Sequence, residues 1–270
     1  MKMLRETLRR HLTRVACGGE ITDAVFTGAF ATAVMTPDQN MLLITDGVQD
    51  GKAPWREVGI VDLPMLIGAL GVREGDRDEL ADVKIDMWKD FLLVDGKGRV
   101  PTGEPRVIGS RTDDDVVADL QKKIAQAETI VLRGSEVREI CKAFSVFKAD
   151  YVTLHVGPGN GRVTVGDEEK GGHWDAQVKQ LVDDQEYDLT FSHHLIDVLA
   201  TVVDDEDFAL HLTGPDSVVG LTGGGYTYII SPRAKPADER KKQKAPAAEQ
   251  ATEKPKKKAP RKRAAAPTPA

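Results

Sequence analysis

Residues 190–200 read TFSHHLIDVLA, which places His193 and His194 just ahead of Asp197 in a chain with six histidines. Imidazole and carboxylate are the side chains of metal centres and of general acid–base chemistry. His193 and Asp197 are four apart, so a helix would put them on one face, where an ion could bridge them. A catalytic metal usually needs three protein ligands. The other candidates, His155, His173 and His211, fall in strand-like stretches or loops without ligand spacing. The acidic runs TDDDV, VDDQE and VDDED sit at turns, where solvated carboxylates are ordinary. The chain has no Ser-His-Asp context, no G-x-S-x-G and no G-x-x-x-x-G-K-[ST] phosphate loop. GPGNGR joins two strand-like stretches and reads as a hairpin turn. A metal-dependent enzyme using His193 and Asp197 is therefore the lesser alternative. No catalytic residue, metal or cofactor is expected.

The elements that must hold these residues follow from periodicity. Leu4, Leu8, Leu12 and Val15 form one helical stripe, and LPMLIGAL (63–70) reads as a second helix with Pro64 in its first turn. Ser135 is the expected N-cap of a third helix that buries Val137, Ile140, Cys141 and Phe144. Ser192 is the expected cap of a fourth, with Leu195, Ile196, Leu199 and Val202 inward and His193, His194, Asp197 and Thr201 outward. Between the helices lie strand-like stretches such as DAVFTGAF, MLLIT, REVGIV, ADVKIDMW, FLLVDG, DYVTLHVG, GRVTVGD, YDLTF, FALHL and YTYII. Adding 129 maps Leu8, His11, Leu12 and Val15 onto Val137, Ile140, Cys141 and Phe144, and Leu66, Ile67, Ala69 and Leu70 onto Leu195, Ile196, Val198 and Leu199. One offset aligning two helices predicts a duplication, the alternative being chance alignment of amphipathic patterns. The expected class is α+β: two tandem similar domains, 1–109 and 131–233, each with two helices packed on antiparallel sheet. A connector spans 110–130, polar and acidic, with a helix-compatible stretch. Cys17 and Cys141 read as reduced, buried thiols in a cytoplasmic protein.

Net charge divides the chain. From Ala234 onward there are twelve Lys/Arg and four Asp/Glu, a net +8, which leaves the first 233 residues at −14 within a total of −6. The segment 234–270 is Lys, Ala and Pro with no aromatic and no aliphatic larger than Ala, so it is expected to be disordered. Its basic clusters also permit a nuclear-localisation reading. No apolar run is long enough to span a bilayer. Within the acidic body, Lys2, Arg5, Arg9, Arg10 and Arg14 spread over the predicted solvent side of the first helix, and Arg138 and Lys142 share a side of the third. The 129 offset maps Arg9 onto Arg138. Basic residues repeated on the outward face of a duplicated helix suit contact with phosphate backbones. A generic solvated face is the plain alternative, and a non-ring DNA-binding or nucleoid-type protein using its basic tail is a second functional class.

The order of these pieces resembles the DNA sliding clamps, the ring-shaped processivity factors of replicative polymerases, and most of all those of large tailed phages. EVGIVDLPMLIGALGV is similar to the clamp strand leading into the second helix, and DVKIDMWKDFLLVDGKG to the hairpin after it. VLRGSEVREICKAFSVFKADYVTLHVGPGNGRVTVGD is similar to the start of a second clamp domain. DLTFSHHLIDVLATV and FALHLTGPDSVVGLTGGGYTYIISPR are similar to its end. The resemblance covers roughly Met1 to Arg233. It implies a homotrimeric ring around double-stranded DNA, and DNA polymerase and an ATP-dependent clamp loader as partners. The DNA-facing lining it implies is Lys2, Arg5, Arg9, Arg10, Arg14, Arg138 and Lys142, with His193 and His194 adding a weakly basic contribution. It also implies a partner-peptide pocket beneath the connector, with Tyr228, Ile230 and Pro232 as its residues. Two features depart from the pattern: LPMLIGAL carries no basic residue, and the basic tail lies outside it.

Overall fold

Leu8, Leu12 and Val15 are fully buried along one side of helix α1 (Arg5–Ala16), as their spacing predicts. The structure, a computed structural model, describes residues 2–48, 55–71, 82–159, 161–167, 172–178, 186–200, 206–214 and 217–233. The basic tail, Thr201 and Val202 lie outside the described residues. So do parts of the VDDQE and VDDED runs.

The first half runs β1 (Lys2–Leu4), α1, β2 (Ala24–Thr27), β3 (Thr32–Met35), β4 (Met41–Thr45), β5 (Glu57–Ile60), α2 (Leu63–Gly71), β6 (Asp82–Met87), β7 (Phe91–Val94) and β8 (Gly98–Gly103). Helix α3 (Asp114–Ala125) lies in the connector. The second half then repeats the order: β9 (Glu128–Leu132), α4 (Gly134–Phe147), β10 (Val152–Val156), β11 (Gly161–Asp167), β12 (Gly172–Val178), β13 (Tyr187–Phe191), α5 (His193–Ala200), β14 (Phe208–Leu212), β15 (Val219–Gly223) and β16 (Tyr226–Ile230). The starts of α1 and α4, Arg5 and Gly134, are 129 residues apart. The body is one compact unit.

Pairing within each half follows the same rule. β1-β6-β7-β8 corresponds to β9-β14-β15-β16, and β5-β2 to β13-β10. The halves merge where β4 pairs antiparallel with β16, Thr45 facing Tyr226 and Met41 facing Ile230, inside a six-stranded sheet ordered β3-β4-β16-β15-β14-β9. Strand alternation gives this shared sheet two apolar faces. Met41, Leu43, Tyr226, Tyr228 and Ile230 belong to the main core. Leu42, Ile44 and Ile229 point the other way and are covered by Ile124, Val117 and Leu120 of α3. Gly220 makes that docking possible, because a Cβ there would stand 2.7 Å from Ile124 Cδ1.

Several local expectations are corrected. Lys2 lies in β1, not on the first helix. The N-cap of α4 is Arg133 rather than Ser135, and the Arg133 amide donates to Glu136 Oε2 at 2.9 Å. Strands β1, β3, β8, β9, β12 and β15 occur where no strand was expected, β9 beginning within the expected 110–130 connector. β8 carries Pro101 between two glycines, and β12 (GHWDAQV) is largely polar. β12 is a sheet edge, and β8 pairs with β5 only at Thr102 and Gly103, so apolar alternation is not required of either along its open side.

Candidate functional site

Five of the expected DNA-facing side chains are exposed: Arg9 and Arg10 on α1, Arg138 and Lys142 on α4, and His193 on α5. Arg9 lies 3.7 Å from Glu6. The helices pack in a row, α2 on α1, the turn Cys17–Gly19 after α1 on α5, and α5 on α4. This row brings the exposed cations of the two repeats onto one helical layer.

Arg5, Arg14 and His194 are not part of that face. Arg5 is buried; it donates to the Leu70 carbonyl at 3.1 Å and pairs with Asp95. Arg14 is buried and donates to Glu206 at 2.7 Å, with its guanidinium 4.9 Å from the centre of the Tyr226 ring. Both flank the Leu8–Leu12 stripe and meet protein instead of water, Arg5 at the end of α2 and Arg14 at Glu206 of the other half. A helical wheel assigns faces relative to one packing partner, whereas α1 has two. For Lys2 the structure describes the backbone alone.

The second partner of α1 is the C-terminal half. His11 bridges it: one ring nitrogen lies 2.9 Å from the Phe30 carbonyl and the other 2.8 Å from the Tyr226 hydroxyl. A carbonyl only accepts, so Nε2 carries the proton and Nδ1 accepts from Tyr226. Burial pushes the His11 pKa from 6.5 down to about 4, against the hydrogen bond to Phe30 and helped by the Arg14 charge.

The histidine pair that opened the sequence lies at this same junction. His193 is half exposed, and its Nε2 is 3.3 Å from Glu20 Oε1 across 173 residues. His194 is only 1% exposed, which corrects its expected outward orientation. Its Nε2 lies 2.7 Å from Asp38 in the β3–β4 turn, and its buried Nδ1 has no hydrogen-bond partner. Burial alone would raise the Asp38 carboxyl, but hydrogen bonds from His194, Thr36 and Asn40 outweigh it and hold it well below the usual carboxylate range. Asp197 completes the group. Burial raises its pKa, opposed by the two histidines. One ligand atom each from Glu20, His193, His194 and Asp197 lies within 4.8 Å of the others. Gly18 makes room for this approach: its φ is +67°, and a Cβ there would stand 3.3 Å from Asp197 Cγ. Glu20 and Asp38 were invisible to sequence spacing because they come from the other half of the chain. Cys17, beside this group, is buried and free, and burial pushes its thiol up to about 12.

The expected partner-peptide residues are also redistributed. Tyr228 and Ile230 are 1% exposed and face the main core, so they do not line a surface pocket. The strand has the opposite phase to that expected: Ile229 is the residue beneath the connector. Pro232 is half-buried at the chain's exit from β16. An open cleft of about 620 Å³ does exist under the start of the connector, lined among others by Thr22, Met35, Pro37, Arg111 and Val116.

Repeated helix-and-sheet halves joined by a shared sheet define this as the DNA-clamp fold, an α+β architecture. The chain is similar to A. fulgidus PCNA bound to the C-terminal region of FEN-1, with a TM-score of 0.64 and 15% identity over 87% of this chain and 98% of that one. It is similar to the Proliferating Cellular Nuclear Antigen of Entamoeba histolytica, with a TM-score of 0.61 and 15% identity over 86% and 98% of the two chains. It is also similar to a putative DNA polymerase III beta subunit from Eubacterium rectale, with a TM-score of 0.66 and 15% identity over 87% of this chain, and it spans 65% of that longer chain. At these identities the likeness is one of fold. No family model and no curated protein matches the sequence. Among the described residues no helix is long and apolar enough to cross a membrane.

Proposed function

We propose that the protein is a sliding clamp. Copies of the chain close head to tail into a ring around duplex DNA and hold DNA polymerase on its template. One observation carries this reading. β16 and β4 join the two halves by pairing, while their counterparts in the repeat, β8 and β12, are open. Among the described residues β12 pairs only with β11, and β8 over Gly98–Pro101 pairs only with β7. A second copy offers each edge the partner it lacks, by strand addition.

Side chains beside the edges support the same joint. His194 and Cys17 are buried where α5 meets the turn after α1. Their counterparts 129 residues away, Met65 on α2 and Val146 at the end of α4, are 46% and 66% exposed, and Phe147 beside it is 41% exposed. Apolar residues left open at positions that the other repeat buries fit a joint completed by the next copy. Such an interface is heterologous and closes by rotation. Three copies are favoured because the chain matches nearly the full length of the PCNA chains and only about two thirds of the beta subunit.

The lining comprises Arg9, Arg10, Arg138 and Lys142, with His193 on α5 between α1 and α4. The remainder of the partner set is proposed by resemblance: DNA polymerase, an ATP-dependent loader that opens the ring, and a host-cell cytoplasmic location of the phage kind. The cleft beneath the connector is the proposed site for partner segments, since A. fulgidus PCNA was solved with the C-terminal region of FEN-1. The decisive experiment is native mass together with DNA topology. A trimer retained on circular DNA and lost when the DNA is linearised is expected; a monomer that binds linear DNA tightly would overturn the reading.

Salt dependence tests the lining. Each phosphate contact contributes about 0.9 to the slope of log K against log salt. Replacing Arg9, Arg10, Arg138 and Lys142 together with alanine is expected to flatten that slope by up to about 3.6 per subunit, with folding intact. Deleting 234–270, which carries a net +8, is expected to flatten it independently if the tail touches DNA. Arg14→Met should leave the slope unchanged and lower stability by about 2 kcal/mol, since it leaves Glu206 without its partner at a half-buried site. A slope change in Arg14→Met with unchanged melting would contradict the assignment of Arg14 to the junction.

A further inference from the structure

We propose that Glu20, His193, His194 and Asp197 form a zinc site that staples the two halves of the chain together. The donors come from both sides of the junction. Glu20 follows α1 in the first half, and the other three sit on α5 in the second. His193 with Asp197, and His194 with Asp197, are four and three residues apart, so one helical face presents all three. Two imidazoles and two carboxylates are a tetrahedral donor set suited to Zn2+, whereas Mg2+ and Ca2+ favour oxygen alone. Zinc–ligand bonds of about 2.0–2.2 Å require donor atoms roughly 3.4 Å apart. The four atoms here stand within 4.8 Å of one another, a gap that rotation of the exposed His193 and half-buried Glu20 side chains can close.

His194 points to a ligand most directly. Asp38 accepts from its Nε2, which leaves Nδ1 as the nitrogen with a lone pair, buried and with no hydrogen-bond partner. A buried imidazole nitrogen without a partner is costly to keep empty. A carboxylate that fixes one ring nitrogen while the other binds metal is the usual support of a histidine–zinc bond. The site is structural: four protein donors fill a tetrahedral shell and leave no open position for substrate.

The repeat adds a consequence that rests on the ring reading. The counterparts of His193, His194, Asp197 and Glu20 are Pro64, Met65, Gly68 and Ala149, none of which ligates metal. The joint inside the chain is cross-linked, and the equivalent joint between copies stays free to part when the ring opens.

The test uses the full chain, stripped with a chelator and titrated with Zn2+ or Co2+ alone. One ion per chain is expected, with the visible absorption of tetrahedral Co2+ and a higher melting temperature on adding Zn2+ but not Mg2+. Glu20→Gln and Asp197→Asn remove partly exposed donors and should abolish stoichiometric uptake while the chain stays folded. Asp38→Asn should weaken it roughly 10–100-fold. If His194→Asn fails to fold, the other variants still decide. A folded chain that takes up neither ion at micromolar concentration, or that binds equally well as Glu20→Gln and Asp197→Asn, overturns the site. Native mass is measured on the same samples. A monomer that binds zinc upholds the metal site and overturns the ring.

Discussion

Met65→Asp and Val146→Asp should each convert the assembled ring to a monomer, and an equimolar mixture of the two should form a dimer of one chain of each. Both side chains are exposed in the single chain, so neither change disturbs its core. In the proposed joint the α2 face of one copy meets the end of α4 of the next. A carboxylate buried there without a partner costs about 3 kcal/mol, roughly a hundredfold in affinity. Each variant retains one sound surface. The α2 face of Val146→Asp can meet the α4 end of Met65→Asp, which makes one joint. The remaining two surfaces are both spoiled, so the pair cannot close. Retention on circular DNA should be lost in each variant and in the mixture. Native mass spectrometry reads the outcome directly. Homodimers of a single variant would show a self-complementary interface and refute the head-to-tail arrangement.

The second large effect is acid sensitivity centred on His11. Its folded pKa of about 4 lies below the ordinary 6.5, because burial disfavours the charged ring. Between these values the unfolded chain binds a proton that the folded chain does not. The stability is therefore complete above pH 6.5 and is lost as the pH falls towards 4, about 3 kcal/mol in all. Protonation would also set an N–H against the Tyr226 hydroxyl at Nδ1, the bond that joins α1 to the last strand. His11→Gln keeps a donor for the Phe30 carbonyl and does not titrate in this range. Relative to that variant, the native chain should lose roughly 6–12 °C of melting temperature between pH 7 and pH 4. Carboxylates that titrate in both proteins cancel in the comparison. Parallel pH profiles for the two chains would show that His11 is not the group responsible.

The sequence alone was enough for the class of architecture and for the repeat. Amphipathic stripes such as Leu8–Leu12–Val15 and Val137–Ile140 report burial through a period set by the helix itself, and one offset in two helices is readable without coordinates. The division of charge between body and tail was readable for the same reason, since it is a property of composition. Three kinds of fact were decided only by the tertiary structure. Arg5 and Arg14 are charged and flank the apolar stripe, yet each is buried, because their long side chains reach Asp95 and Glu206, 90 and 192 residues away in the sequence. The phase of β16 placed Ile229, not Tyr228 and Ile230, beneath the connector, because this strand is apolar on both faces and has no alternation to read. β12 and the open side of β8 over Gly98–Pro101 were illegible because an unpaired edge needs no apolar pattern of its own. His193, His194 and Asp197 were legible as candidate ligands from their spacing. Whether they formed a site depended on Glu20 and Asp38, which folding brings from the other half of the molecule.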